Sequence, residues 1–159
     1  MKDIEEKQRK LQEILYRAEF YKQQIQSLEE RVFVLEANMR EIETAIDTMK
    51  YIESTEDGNE ILVPAGGNCF IRSSLMSKSE VITSIGANVF VNKNIGDAKK
   101  LLNERADELN EAMNQTRHES AAFESRIMEL NEQGSDIARE IQQMQGSMDL
   151  PKMGVRGLN

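Results

Sequence analysis

One histidine and one cysteine are the chain's whole supply of imidazole and thiol chemistry, and the sequence gives neither the company it would need. His118 stands beside Arg117 on the solvated face of a charged helical stretch, so a Ser-His-Asp relay or a two-histidine metal site lacks its other members. Cys69 falls in a β-favouring run with no histidine nearby in sequence, which reads as a small packed hydrophobe rather than a nucleophile. Gly66-Gly67 is not followed by the Lys and Ser or Thr of a phosphate loop. Glu29-Glu30 and their neighbours read as a helix surface rather than paired acid-base carboxylates. No enzyme activity, cofactor or metal is expected.

The chemistry that the residue types do support is adaptable apolar recognition. Met144, Met148 and Met153 lie close to the C-terminus, interspersed with Leu150, Val155 and Leu158. Methionine is unbranched and polarisable, so it fits apolar partners of irregular shape. Ile4, Leu11, Ile14, Ile137 and Ile141 are expected close to these methionines if the two ends of the chain meet. Together they form a candidate surface for an apolar partner.

The elements that would bring them together are two heptad seams. Ile4, Leu11, Ala18, Ile25, Val32, Met39 and Ile46 make one set of the first seam; Ile14, Tyr21, Leu28, Leu35, Ile42 and Met49 make the other, with Lys7 as its polar member. A repeat of 3.5 residues sustained over this length means a coiled coil. The second seam runs from Leu102 through Ala106, Leu109, Met113, Phe123, Ile127, Leu130, Ile137, Ile141 and Met144 to Met148, with Thr116, Ser120 and Gly134 as weak links. Each helix of about 50 residues would be roughly 75 Å long, which leaves no room for one compact sphere.

Between the seams the character changes. Ser54-Thr55-Glu56-Asp57-Gly58-Asn59 is turn chemistry. Ile61-Leu62-Val63 reads as a strand closed by Pro64, and Cys69-Phe70-Ile71-Arg72 as its partner. Val81 to Ile85 and Val89 to Val91 form a second hairpin about the tight turn Gly86-Ala87-Asn88. Asn94 is placed to cap the next helix, with Asp97 in its first turn. The organisation is therefore an N-terminal coiled-coil helix over 1–53, two β-hairpins over 59–93, a C-terminal coiled-coil helix over 94–148 and a loose tail over 149–159. The fold class is mostly helical α+β, a long antiparallel coiled-coil hairpin whose two central β-hairpins join an intersubunit β-barrel.

One antiparallel register sets Ile46 against Leu102, Met39 against Leu109, Ile25 against Phe123, Leu11 against Ile137 and Ile4 against Met144. It faces Lys7 with Ile141 and Ile14 with Gly134. Its flanks pair Arg31 with Glu119, Lys10 with Glu140, Glu29 with Arg117 and Lys22 with Glu124, and a slip of one heptad either way brings like charges together. Such pairs select register more than they stabilise. Lys7 and Gly134 weaken the seam near its free end, so partial unzipping there would expose the tip residues.

The two hairpins have no helix to cover them. Isolated hairpins are marginal in water, and their outer strands leave backbone groups unpaired. Val63, Phe70, Ile71, Ile82, Ile85, Val89, Phe90 and Val91 are the candidate oligomerisation residues, buried when segments from several chains close a barrel.

Bulk composition excludes other classes. The net charge of −8 and a pI near 4.8 oppose binding to nucleic acid or to an anionic membrane surface, both of which need clustered Lys and Arg. No apolar run approaches the ~20 residues of a membrane span. Met1-Lys2-Asp3-Ile4-Glu5-Glu6 lacks the apolar core of a secretory signal. With a single cysteine, a reducing cytoplasm is the expected location.

The order helix, two hairpins, helix resembles the alpha class of the prefoldin family. Leu62-Val63-Pro64 with Gly66 and Phe70 resembles that family's first strand and turn. Glu80 to Ala87 followed by Val89-Phe90-Val91-Asn92-Lys93 resembles its second hairpin, and Ala98, Leu101, Leu102, Arg105 and Leu109 fit the helix beyond. Ala65, Asn88 and Asn92 depart from the pattern. The architectural likeness covers nearly the whole chain, and the motifs run from about Leu62 to Leu109. The resemblance implies an ATP-independent holdase subunit in a hexamer of two alpha-class and four beta-class prefoldin subunits. It also implies that the coiled-coil tips bind unfolded client proteins and pass them to a group II chaperonin.

Two other readings of the same architecture stand beside it. A structural coiled-coil adaptor or spacer would oligomerise through its β segment but keep its tips closed and ignore unfolded chains. A nucleotide-exchange cochaperone of the long-helix type would carry its β domain after the helices rather than between them.

Overall fold

The computed structural model describes residues 2–148. Met153 and the rest of the expected tail, 149–159, lie outside the described residues, as does the side chain of Met148. In chain order the elements are α1 (Lys2–Ser54), β1 (Glu60–Gly66), β2 (Cys69–Ser74), β3 (Glu80–Gly86), β4 (Val89–Asn94) and α2 (Ile95–Met148). The mostly helical α+β class with two antiparallel β-hairpins is what the sequence leads one to expect. The chain forms two compact units, one from residues 2–32 with 115–148 and one from Phe33–Asn114.

The first unit is a pair of helix segments. Ile14, Ala18 and Leu130 are its buried cluster, with Tyr21 and Ile137 packed against it. Gly134 lies against Ile14 and Leu11: a methyl group there would sit 3.5 Å from each. Lys7 is ion-paired with Glu140. Positions that ascend on α1 thus meet positions that descend on α2, as in an antiparallel pair. Every other first-seam residue in this unit, from Ile4 to Val32, is at least half-buried.

Two expected flanking pairs are different in the structure. Glu140 takes Lys7 rather than Lys10, so Lys7 reaches past Ile141 to the neighbouring carboxylate. Lys22 pairs with Glu19 on its own helix, 3.6 Å away, rather than with Glu124. Long surface side chains choose among several partners of nearly equal worth, and a partner on the same helix needs no help from the register.

The second unit holds the hairpins. α1 ends where Thr55 N–H donates to the Ile52 carbonyl and the Ser54 and Thr55 hydroxyls donate to the Tyr51 carbonyl, which gives partners to these two carbonyls of the last turn. α2 begins as expected. The Asn94 side-chain oxygen accepts the Asp97 N–H at 2.8 Å, and the Asn94 amide donates to the Asp97 carboxylate at 2.6 Å. Ile95, Ala98 and Leu102 are buried in the turns that follow this cap, and Met39 and Met113 are buried further along the helices of this unit.

β1 pairs antiparallel with β2, and β3 with β4, as two separate two-stranded sheets. Both hairpins turn through two residues of positive φ, Gly67-Asn68 and Ala87-Asn88, after a bulge before Gly66 or Gly86. This is the turn geometry whose twist suits a two-residue hairpin. Pro64 does not close its strand. It lies within β1 opposite Phe70, which a two-stranded ribbon allows because one edge needs no N–H donor.

The hairpins are held differently. β3–β4 is tied to α2: Thr83 is buried, Val81 and Val91 are half-buried, and the Arg105 guanidinium donates to the Ser84 carbonyl at 2.6 Å. The Ile95 N–H donates to the Ser79 carbonyl at 3.0 Å. β1–β2 is tied at its root, where Gly58 N–H meets the Leu75 carbonyl at 2.7 Å and Leu75 N–H meets the Asn59 carbonyl at 2.9 Å. From Leu62 to Ser74 all of its residues are exposed.

Candidate functional site

Two surfaces carry the expected functional residues, one in each unit. At the N-terminal end of the first unit, Ile14 and Ile141 are buried, and Ile4, Leu11, Ile137 and Met144 are half-buried. The side chains sit in a seam, not on an open face. Their access depends on how firmly the seam holds, and two features set that. Lys7 occupies a seam position where the repeat calls for an apolar residue. Its ammonium is held by Glu140, whose carboxylate raises the lysine pKa above its ordinary range, while the ammonium holds the Glu140 carboxyl below its own. Gly134 presents no side chain to Ile14 and Leu11, and an interior helical glycine costs about 1 kcal/mol relative to alanine. Beside this seam runs an open groove with Asp3, Glu6, Lys7, Lys10, Ile137 and Glu140 among its lining residues. The end of the helix pair is therefore charged outside and apolar inside.

The second surface is the pair of hairpins. On one face of β1–β2 stand Leu62, Pro64, Phe70 and Arg72; on the other, Ile61, Val63 and Ile71. Arg72 Nη1 donates to Glu60 Oε1 at 2.8 Å on the first of these faces. The β3–β4 hairpin turns Thr83 and Val91 inwards and Ile82, Ser84 and Phe90 to the other side. Ile82 is 73% exposed, Phe90 62% and Phe70 61%. Val63, Ile71, Ile85 and Val89 are exposed as well. Of the eight oligomerisation residues expected from sequence, only Val91 is partly used within the chain. Burial on one face and exposure on the other make β3–β4 a half-finished layer, and β1–β2 lacks cover on both.

Leu62, 61% exposed on the Phe70 face, belongs with this set and was not expected there. Its alternation with Pro64 was the available signal, obscured by reading Pro64 as a strand end. Arg105 is a second such residue, because a tertiary bond from a helix to a strand carbonyl has no periodicity to announce it. Cys69 is exposed beside the first turn rather than packed, since the ribbon offers nothing to pack it against. His118 is exposed on its helix. Among the described residues no group of acids, histidines and cysteines is placed to hold a metal ion, and no helix is long and apolar enough to cross a membrane.

Residues 21–145 match the family model described as Prefoldin subunit. The "Prefoldin subunit alpha" of Methanococcus aeolicus is 32% identical over 138 residues, covering 87% of this chain and 92% of that protein. The protein of the same name from Pyrococcus horikoshii is 28% identical over 149 residues, covering 93% and 96%. Among solved structures, a chain of filamentous PFD from Methanocaldococcus jannaschii superposes with a TM-score of 0.67 over 72% of this chain and 95% of that one. At 20% identity that is a likeness of fold.

Proposed function

The chain belongs to the prefoldin family, and from that premise we propose that it works as an alpha-class holdase subunit in the cytoplasm. It assembles with beta-class subunits, two alpha-class with four beta-class chains, by adding its hairpins to shared β-barrels. The helix ends bind non-native polypeptides without ATP and pass them to a group II chaperonin.

One observation carries the assembly half of this reading. Two ribbons of two strands each expose Leu62, Phe70, Ile71, Ile82 and Phe90, and such ribbons are marginal in water until more strands or a packed layer complete them. Strands from neighbouring subunits would satisfy the open edges and the apolar faces at once. The client half rests on the seam end. A polar residue at Lys7 and a missing side chain at Gly134 keep that end weak enough to part, and parting it presents Ile4, Leu11, Ile14, Ile137, Ile141 and Met144. Met148 and Met153 extend this set in sequence. Each helix end binds weakly, and several ends tethered to one barrel raise the effective concentration of the rest.

Co-expression with a beta-class prefoldin subunit tests this directly. The expected product is a six-chain complex by native mass that keeps a denatured model protein soluble without ATP. A complex of that mass with no effect on aggregation would favour a spacer, and a lone stable monomer would remove the assembly claim.

A further inference from the structure

Backbone bonds at the roots of the two hairpins fix which groups face outwards. In an antiparallel pair, opposed residues alternate between bonding each other and pointing their N–H and C=O groups away. The Leu75 N–H donates to the Asn59 carbonyl at 2.9 Å, and the Ile95 N–H donates to the Ser79 carbonyl at 3.0 Å. Each of these bonded pairs lies one step beyond its hairpin's register, next to Glu60–Ser74 and next to Glu80–Asn94. By alternation, Leu62–Arg72 and Pro64–Phe70 point their backbone groups outwards, and so do Ile82–Asn92 and Ser84–Phe90.

With that frame fixed, the two edges of each ribbon differ. On each first strand one outward group is missing or already taken. Pro64 has no N–H to offer. The Ser84 carbonyl, at the matching place in the second hairpin, accepts the Arg105 guanidinium at 2.6 Å. Arg105 is half-buried there, so a side chain of α2 stands against that edge. The second strands carry no such defect. Phe70, Arg72, Phe90 and Asn92 are exposed and keep both outward groups. Among the described residues nothing is bonded to those groups. An unbroken row of donors and acceptors is what an added strand needs, and a row broken at one place holds it less well.

We infer that β2 and β4 are the edges on which strands of a beta-class subunit are added, and that β1 and β3 are the weaker joints. The inference rests on the reading of the hairpins as assembly elements and says which strand of each carries the joint. The ligand is an extended backbone, met group for group by the outward N–H and C=O of Phe70, Arg72, Phe90 and Asn92. A strand seated beside β1 lacks a donor at Pro64, and one beside β3 competes with Arg105 for the Ser84 carbonyl.

Proline substitution tests this on the full chain, with affinity for a beta-class subunit as the readout. Proline at an outward position deletes an edge N–H, as Pro64 does, and breaks no bond within the ribbon. Leu62 and Arg72 stand opposite each other, so Leu62→Pro and Arg72→Pro disturb the same pair and differ in the edge they alter. Each is read against its own alanine variant, which accounts for the lost side chain. Arg72→Pro should bind about ten-fold more weakly than Arg72→Ala, the effect of one lost bond that leaves a buried carbonyl unmet. Leu62→Pro should lie within about two-fold of Leu62→Ala, because the ladder on that edge is already incomplete. Amide exchange at Val63 and Ile71, bonded to each other inside the ribbon, should be alike in the two proline variants. Where it is not, Asn92→Pro against Ile82→Pro decides in the second hairpin, with Asn92→Pro the more damaging. Equal penalties at the two edges, or a larger one on the first strand, would overturn the assignment and leave assembly through the hairpins standing. Failure of the unaltered chain to bind the beta-class subunit would end both readings.

Discussion

Lys7 and Glu140 hold each other across the two helices of the first unit, and Lys7 does so from a position where the heptad repeat calls for an apolar side chain. The pair therefore takes the place of a hydrophobic contact at the end of a seam. Its pH dependence follows from the two shifts. The Glu140 carboxyl is held down by the ammonium, so its contribution is present above the ordinary glutamate pKa of about 4.3 and is lost as pH falls through the lowered value. The Lys7 pKa is raised by the carboxylate, so its contribution is present below about 10.4 and is lost as pH rises through the raised value. The melting temperature of Glu140→Gln should lie below that of the unaltered protein throughout this window and converge with it at either extreme. A gap that persists in acid would assign the effect to something other than this pair.

Replacing Lys7 by leucine should do the opposite of removing Glu140. An apolar residue would complete the seam, raise the melting temperature and reduce capture of a denatured protein, because the end would part less readily. Greater stability with undiminished capture would show that clients do not enter here.

Gly134→Ala asks the same question from the other helix. The added methyl would meet Ile14 and Leu11 at 3.5 Å, an ordinary contact distance, so it fills space without strain. The expected gain is about 1 kcal/mol from helix propensity alone, read by thermal or denaturant unfolding. Destabilisation would mean that the seam at Gly134 is tighter than its geometry implies.

Ala87 adopts a φ of 47° in the second hairpin turn, a region that costs a residue with a Cβ roughly 1–2 kcal/mol. Ala87→Gly should relieve that strain and stabilise the hairpin by about 1 kcal/mol, less the extra freedom of glycine in the unfolded chain. Amide exchange across β3 and β4 should slow accordingly.

These effects separate what the sequence discloses from what it hides. Every first-seam position from Ile4 to Met49, and every second-seam position from Leu102 to Met144, is buried or half-buried, because a 3.5-residue repeat is a direct imprint of the contact it makes. The Asn94 cap and both hairpin turns were equally legible, each being set by residues three or four apart. Partner choice among surface charges was not. Glu140 could reach Lys7 or Lys10, and Lys22 could reach across or along its helix, at energies too close for sequence spacing to rank. The difference between the hairpins was also hidden, since it depends on Arg105 meeting the Ser84 carbonyl across the fold. As for the sites, the exposure of the hairpin residues follows from their having no covering helix. The half-burial of the seam-end residues shows only that they would have to be uncovered to bind.

Charged substitutions on the hairpins should act on assembly alone. Phe70→Asp or Phe90→Asp places a carboxylate where the isolated chain is already exposed to water, so helix content and melting of the single chain should change little. Co-purification with a beta-class subunit should fall sharply, because the same carboxylate would be buried in a barrel. Loss of the single chain's fold would contradict the account.

Hydrogen exchange read by mass spectrometry, on the chain alone and after mixing with a beta-class subunit, tests the central claim most directly. Amides of Glu60–Ser74 and Glu80–Asn94 should exchange quickly in the lone chain and become strongly protected in the mixture, the first hairpin most of all. Unchanged exchange in both hairpins, in a mixture that nonetheless forms a complex, would contradict assembly through these strands.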